Sequence, residues 1–227
     1  MGRGFETINK IDYLSSNWLA FKINNDSFLK CVSLLEGPVI DLGCGTSQYK
    51  ADILQIAQPY IGVDWENSFH DRSCVDITAN LSEKLPLEDS YAGTVVSFQV
   101  MEHLSEPGFF LSECQRILRP GGLLLITVPF MWQVHEAPYD FFRFTRHGLE
   151  YLLKKNGFVE TQIHETTGFW QMWVLKFNYH SLRFAQGAFK YFWIPVWWAG
   201  QARSPFLDKL DPDPQETASY RVLARKP

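Results

Sequence analysis

The sequence has no surplus of positive charge. Its 21 Lys and Arg residues stand against 25 Asp and Glu, and the formal net charge is −4. A protein that neutralises a nucleic-acid backbone releases counterions through clustered Lys and Arg, so a DNA or RNA partner is disfavoured. The charge balance favours a small or neutral substrate instead.

Cysteine pairs and long apolar runs are also missing. The four cysteines have no Cys-x-x-Cys spacing, which excludes a zinc site built from thiolates and predicts reduced thiols. The first ten residues lack the apolar core of a signal peptide, and no stretch reaches the roughly 18 apolar residues of a membrane span. We therefore expect a cytoplasmic protein without a transmembrane helix.

A glycine-rich turn follows an apolar run. Residues 39–42 read Val-Ile-Asp-Leu, Gly43 and Gly45 follow, and Asp64 lies nineteen residues after the second glycine. Such a run is typical of a buried parallel strand, and the glycines allow a sharp turn and close approach to a ligand. A carboxylate at the end of the next strand would accept hydrogen bonds from two ribose hydroxyls. The pattern predicts a nucleoside site.

Further strand signals follow in order. A third strand is predicted at residues 75–77, a fourth at 94–98 and a fifth at 123–129, after an Arg-Pro-Gly-Gly turn. With these motifs, residues from about 37 to 130 resemble a class I S-adenosylmethionine-dependent methyltransferase of the type 11 kind. Ser47 stands where that family usually has a third glycine, which we interpret as a variant loop. Gln48 stands where a dinucleotide dehydrogenase would need glycine, which counts against NAD.

The resemblance implies an α/β fold. We expect a Rossmann-like seven-stranded sheet in the order 3-2-1-4-5-7-6, with the last strand antiparallel, helices on both faces and an aromatic-rich helical insertion before the last strand. One domain over 1–227 would comprise an N-terminal cap (1–36), a cofactor-binding core (37–130), a substrate loop with a helix and the sixth strand (131–168), the aromatic insertion (169–218) and the last strand (219–227). Within the cap, a helix is predicted from Asp26-Ser27 to Leu35. The cap would cover the cofactor pocket or pack on the sheet edge.

The same resemblance assigns a set of residues to S-adenosylmethionine. Asp41 would lie near the methionine ammonium, and the backbone of Gly43, Cys44 and Gly45 against the methionine and ribose. Asp64 would accept from the ribose hydroxyls, while Trp65 would offer a flat face to the adenine. The remaining members of the predicted cofactor set are Asp76 for the adenine amino group, the Ile77 amide for the ring edge, and Gln99.

The segment after the fifth strand combines His, Glu, Tyr, Asp and Arg in one loop. Loops at the carboxyl ends of the strands border the substrate in such folds. We predict His135 as general base for O-methylation, with Glu136 orienting it and His103 as the competing base. Substrate contacts are predicted at Tyr139, Asp140 and Arg143. The alternative is that these polar residues hold the loop together, which applies most to Asp140 and Arg143.

No metal site is predicted. Glu136 and Asp140 could contribute to a cation site, but the other ligands are not evident. The expected acceptor is a small molecule or glycan, since the loop also resembles methyltransferases of polysaccharide and natural-product biosynthesis. Two other functions stay open: methylation of a lipid or quinone-like acceptor at a membrane surface, and a non-catalytic module that binds the cofactor or a partner.

Residues 169–198 are unusually aromatic. They hold twelve aromatic residues interleaved with Lys176, Arg183 and Lys190. Connections within such sheets are usually short, so this segment is either functional or an interface. Three interpretations remain: helices that pack on their own domain, a homodimer contact, or a peripheral membrane contact through Trp, Tyr and flanking cations.

Overall fold

The computed structural model describes residues 12–67 and 73–227. Residues 1–11 of the predicted N-terminal cap therefore lie outside the described residues. The described part forms one sheet of seven strands. The strands are β1 (Val39–Leu42), β2 (Tyr60–Asp64), β3 (Ile77–Thr78), β4 (Ala92–Phe98), β5 (Leu118–Pro129), β6 (Val159–Glu165) and β7 (Ser219–Arg225).

The strand order is 3-2-1-4-5-7-6, which confirms the predicted topology. The first five strands pair in parallel, with β1 between β2 and β4. β7 runs antiparallel to both of its neighbours, pairing from Leu123↔Arg225 to Pro129↔Ser219 with β5 and along β6 on its other edge. The last strand in the chain is thus an interior strand of the sheet.

Six α-helices surround the sheet in the described residues. They are α1 (Trp18–Leu29), α2 (Lys50–Leu54), α3 (Pro107–Ile117), α4 (Arg146–Lys155), α5 (Phe169–Ser181) and α6 (Lys190–Leu210). α4 begins at Arg146, because the Thr145 hydroxyl accepts the Gly148 N–H at 3.1 Å. The helix predicted over 26–35 is wrong at both ends, since α1 starts at Trp18 and a separate 3₁₀ turn covers Val32–Leu34.

Alternation along the strands divides the core between the two faces of the sheet. One face packs against α3 and α4, through strand residues such as Ile40, Val95 and Leu124. The other packs against α1 and α2, through residues such as Val39 and Val96. Strands buried on both faces explain the near-continuous apolar runs of the sequence. Helices on both faces were predicted, and the packing confirms them.

α5 and α6 form the helical insertion that the sequence predicts before β7. We call residues 169–210 the aromatic hairpin. It packs on α1 through a separate apolar cluster that includes Leu19 and Met172, with Met131 and Trp132 of the loop after β5 at its edge. None of the helices in the described ranges combines the length and the apolar character that a bilayer crossing needs.

Candidate functional site

A cavity of about 270 Å³ opens at the carboxyl edge of the sheet, where the loops after β1, β2 and β4 meet. The lining includes seven of the nine residues predicted to hold the cofactor, together with His103, Glu136 and Tyr139 from the predicted substrate side. Those seven cofactor residues are Asp41, Gly43, Cys44, Gly45, Asp64, Trp65 and Gln99. Seven of the residues predicted for the cofactor and three of those predicted for the acceptor side therefore line one cavity.

Asp41 supplies a buried carboxylate to the cavity from β1. Its Oδ2 accepts the Tyr60 hydroxyl at 2.7 Å, while its Oδ1 has no hydrogen-bond partner among the described residues. Burial raises the pKa of Asp41 to about 7, although the Tyr60 hydrogen bond opposes that shift. An unpaired, buried carboxylate oxygen is suited to a cationic ligand group such as an ammonium.

The glycine turn packs too closely against Val100 to accommodate a side chain at Gly43. Gly43 has φ +76°, and a Cβ there would lie 2.4 Å from Cγ2 of Val100. The turn is fixed to β2 because the Asp64 carboxylate accepts the N–H groups of Gly45 and Trp65, each at 2.7 Å. Carboxylate oxygens have additional lone pairs, so Asp64 can still accept from ribose hydroxyls. The residues present thus fit S-adenosylmethionine.

Gln99 contributes a second unpaired polar group. It follows β4 with φ +56°, and its backbone N–H donates to the Thr127 carbonyl at 2.9 Å. Within the described part of the chain, its buried Nε2 has no partner. A non-glycine residue in the left-handed region is strained, and such strain concentrates at ligand sites. Gln99 can therefore donate a hydrogen bond to a ligand in the cavity.

The structure places the other two predicted cofactor residues outside the cavity lining. The Asp76 carboxylate accepts the Gly62 N–H at 2.8 Å and the Lys50 ammonium at 3.4 Å, so it connects β2 and α2. β3 begins only at Ile77 and is two residues long. Asn80 and Leu81, which sequence reasoning missed, line the cavity after β3 instead. Their signal was their position just beyond the strand end.

The two candidate bases have different positions. His103 lines the cavity, and its Nδ1 lies 2.8 Å from the Tyr139 carbonyl. Nδ1 must carry a proton to donate to that carbonyl, so in the neutral ring the lone pair is on Nε2. His135 lies behind it, with the ring centroids 4.8 Å apart in an edge-to-face contact. Burial and the nearby His103 lower the pKa of His135.

Asp140 and Arg143 hold the loop together in the way that the sequence alternative described. The Arg143 guanidinium donates to both oxygens of Asp140, at 2.6 and 2.8 Å, and to the Gln133 carbonyl at 2.6 Å. Asp140 also accepts the His135 N–H at 2.8 Å. The Arg143 guanidinium lowers the pKa of Asp140 to about 2. This ion pair fixes the position of His135.

Tyr139 and Glu136 form the outer rim of the cavity. The Tyr139 ring contacts Trp65 edge to face, with centroids 5.4 Å apart. Glu136 has φ +51°, and its Oε2 lies 3.8 Å from Nε2 of His103. The rim therefore joins the predicted adenine side to the predicted acceptor side.

Glu102 is an additional buried carboxylate that the sequence interpretation did not use. It is fully buried, and neither oxygen has a hydrogen-bond partner in residues 12–67 and 73–227. Burial raises its pKa to about 8. One ligand atom each from Glu102, His103 and His135 lie within 4.8 Å of one another. These groups could share protons or hold a divalent cation.

Comparison with known sequences places the cofactor-binding core in a family. Residues 40–126 match the model of the "Methyltransferase domain" family. A probable S-adenosylmethionine-dependent methyltransferase of Mycolicibacterium smegmatis is 41% identical over 97 residues, which are 40% of this chain and 37% of that protein. A ubiquinone biosynthesis O-methyltransferase of Rhizobium etli is 28% identical over 102 residues, 40% of this chain and 41% of that protein. The chain thus matches about two fifths of these relatives.

Solved structures share the fold over nearly the whole chain. A S-adenosylmethionine-dependent methyltransferase from Archaeoglobus fulgidus covers 93% of this chain and 95% of its own, with a TM-score of 0.59 and 16% identity. The [4+2]-cyclase SpnF covers 96% and 86%, with a TM-score of 0.62 and 19% identity. The match over residues 40–126 and the shared fold show that this chain contains a methyltransferase domain similar to those of S-adenosylmethionine-dependent methyltransferases.

Proposed function

We propose that the protein transfers a methyl group from S-adenosylmethionine to a hydroxyl of a small molecule or glycan, with His103 as the proton acceptor. The observation that carries this proposal is the position of His103 in the cavity that Asp41 and Asp64 also line. His135, which the sequence pattern favours as base, is not among the lining residues. Nε2 of His103 is therefore the better-placed base.

The chain supplies positioning and proton transfer. When bound, S-adenosylmethionine supplies a methyl group that is already activated by its sulfonium. Asp41 and Asp64 orient the ligand, and Trp65 with Tyr139 restricts water at the rim. His103 takes the proton of the acceptor hydroxyl on Nε2. The carboxylate of Glu136, 3.8 Å away, then stabilises the imidazolium.

His135 acts through His103 in this mechanism. Its lowered pKa keeps the ring neutral near neutral pH, so it does not repel the charge that develops on His103. The Asp140–Arg143 ion pair holds its backbone N–H and ring in place. His135 is thus a positioning residue, and its loss should cost much less than the loss of His103.

Two further points support a hydroxyl acceptor of modest size. The Rhizobium relative is named as an O-methyltransferase of ubiquinone biosynthesis. The acidic balance of this chain also disfavours a nucleic-acid acceptor. Proteins with one fold can catalyse unrelated reactions, as the cyclase SpnF illustrates. The proposal therefore depends on the site rather than on the fold.

The cofactor part of the proposal is tested by calorimetry with S-adenosylhomocysteine. We expect saturable binding to the wild-type chain and weaker binding to Asp64→Ala. The absence of binding by the wild-type chain would refute enzyme action altogether. Turnover is then measured by methyl transfer from labelled S-adenosylmethionine to a panel of sugars, phenols and quinols.

The base is tested by comparing His103→Asn with His135→Asn. We expect His103→Asn to lower turnover by about two to four orders of magnitude with cofactor affinity unchanged. His135→Asn should lower it by less than about tenfold. The reverse ranking would make His135 the base, as the sequence pattern suggests. Loss of activity on chelation, with recovery on adding Mg²⁺, would instead assign Glu102, His103 and His135 to a cation.

A further inference from the structure

The aromatic hairpin carries a charge pattern that differs from the rest of the chain. Residues 169–210 contain one acidic residue, Asp208, against five basic ones, which are Lys176, Arg183, Lys190, Arg203 and Lys209. Outside this segment, 16 Lys and Arg stand against 24 Asp and Glu. A protein with a net charge of −4 therefore carries a net positive charge on this one element.

The same element exposes large aromatic side chains. Tyr191 is 76% exposed and Phe189 is 73% exposed, so most of each ring makes no contact with the rest of the protein. Others on the turn and on α6 are also exposed, namely Phe184, Phe192, Trp198 and Phe206. A concentration of exposed apolar area in a folded protein indicates a contact surface.

The exposed aromatic side chains belong to helices that are held together by buried hydrogen bonds. Trp197 is 2% exposed, and its Nε1 donates to the Ser181 hydroxyl at 2.8 Å, which ties α6 to α5. Asn178 donates to Gln201 at 3.1 Å in the same buried layer. The Asp208 carboxylate accepts the Trp170 N–H at 2.8 Å at the start of α5. The exposed aromatics are thus presented by ordered helices.

We propose that the exposed aromatic surface of the turn and α6, which includes Phe189, Tyr191 and Phe192, docks on an anionic phospholipid bilayer. Aromatic rings are favourable at the depth of the headgroups, and cations attract anionic lipids. The alternative occupant is a second copy of the chain. A symmetric contact would bring two net-positive surfaces together, so charge complementarity favours the bilayer over the copy.

Docking would bring the acceptor side of the cavity towards the membrane. Trp132, at the start of the loop that carries His135, contacts Tyr179 of α5 edge to face, with ring centroids 4.8 Å apart. The Arg143 guanidinium donates to the Trp132 carbonyl at 3.3 Å. An acceptor anchored in the bilayer would then reach this loop. That step rests on the proposed function, whereas docking itself does not.

Docking is tested by cosedimentation of the whole chain with vesicles of phosphatidylcholine, with and without phosphatidylglycerol. We expect binding to the anionic vesicles, weaker binding to the neutral ones, and loss of binding as salt is raised. Lys190→Gln should weaken binding about fivefold, the effect of removing one cation near the surface. The triple variant Phe189→Ser, Tyr191→Ser, Phe192→Ser should abolish it.

The matched control is Tyr151→Ser with Lys155→Gln, which removes an exposed aromatic and a cation from α4. It should bind vesicles like the wild type. S-adenosylhomocysteine affinity, measured on every variant, verifies the fold independently of docking and reports on the proposed function separately. Docking is overturned if the wild type stays in the supernatant, if the control loses binding as the triple variant does, or if the triple variant only converts a dimer to a monomer.

Discussion

Asp41 is the residue whose surroundings say most about the ligand. Its carboxylate is buried beside Asp64, has one hydroxyl donor from Tyr60, and keeps Oδ1 without a donor in the described residues. A buried charge without a partner is unfavourable, which is why its pKa rises to about 7. A cationic ligand group would reverse that cost and favour the ionised form.

Cofactor affinity should therefore depend on pH through Asp41. Below pH 7 the carboxyl is protonated before the ligand binds, so binding must release a proton. We expect the affinity for S-adenosylhomocysteine to fall by about tenfold for each pH unit below 7. Calorimetry in buffers of different ionisation enthalpy measures both the affinity and the released proton.

Two variants distinguish the pH dependence that is due to Asp41 from that due to the ligand's own amine. Asp41→Asn should bind about 10- to 100-fold more weakly at pH 8 and show a flatter pH dependence, because a charged hydrogen bond is lost. Tyr60→Phe keeps the carboxylate but removes its donor, so the midpoint should move to higher pH. Parallel curves for wild type and Asp41→Asn would exclude Asp41 as the titrating group.

At this scale, the sequence predicts where a residue lies when the backbone of a strand fixes its position. Residues at the ends of β1 and β2 had to meet at the carboxyl edge, so Asp41, Gly43 and Asp64 could be placed from spacing. Asp76 could not, because β3 starts two residues later than predicted and the Asp76 carboxylate accepts the Gly62 N–H instead. The relative depth of His103 and His135 depends on loop packing, which no local pattern encodes.

At the scale of elements, residues that cap helices also occur inside them. Asp26 and Ser27 suggested a helix start, yet Asp26 pairs with Lys22 one turn earlier. The Ser27 hydroxyl donates to the Ile23 carbonyl at 2.9 Å. Pro195 and Pro205 lie within α6, where burial of Trp197 and Gln201 against α5 retains the helix. Contacts within α1 decided the first case, and tertiary packing decided the second.

The start of α5 depends on one side chain of α6. Asp208 accepts the N–H groups of Gly168 and Trp170, at 3.1 and 2.8 Å, and an anion there also favours the helix dipole. Asp208→Ala should destabilise the aromatic hairpin by about 2 kcal/mol. Hydrogen exchange should then quicken in α5 while β4 amides are unchanged, and Asp213→Ala in the exposed linker should have no such effect. Equal acceleration in β4 would mean that hairpin and sheet open together.

At the scale of the whole molecule, the sheet is completed by the last strand in the sequence. β7 separates β5 from β6 and pairs with both along its length. An apolar pattern at residues 219–226 predicts a strand but not its neighbours, so the order 5-7-6 came from the family resemblance. Long-range pairing of this kind is also the part of a fold that local propensity cannot encode.

Ending this chain after residue 218 should abolish folding, because the lost strand is an interior strand of the sheet and not an edge strand. The loss exposes the buried side chains of Tyr220, Val222 and Leu223, at about 1.5 to 3 kcal/mol each, and leaves the backbone groups of β5 and β6 unpaired. That sum is comparable with the whole stability of a typical domain. We expect no cooperative thermal transition and no S-adenosylhomocysteine binding, whereas a chain lacking only Pro227 should melt like the full one. A cooperative transition at the same temperature in the shorter chain would show that β5 and β6 can close the sheet without β7.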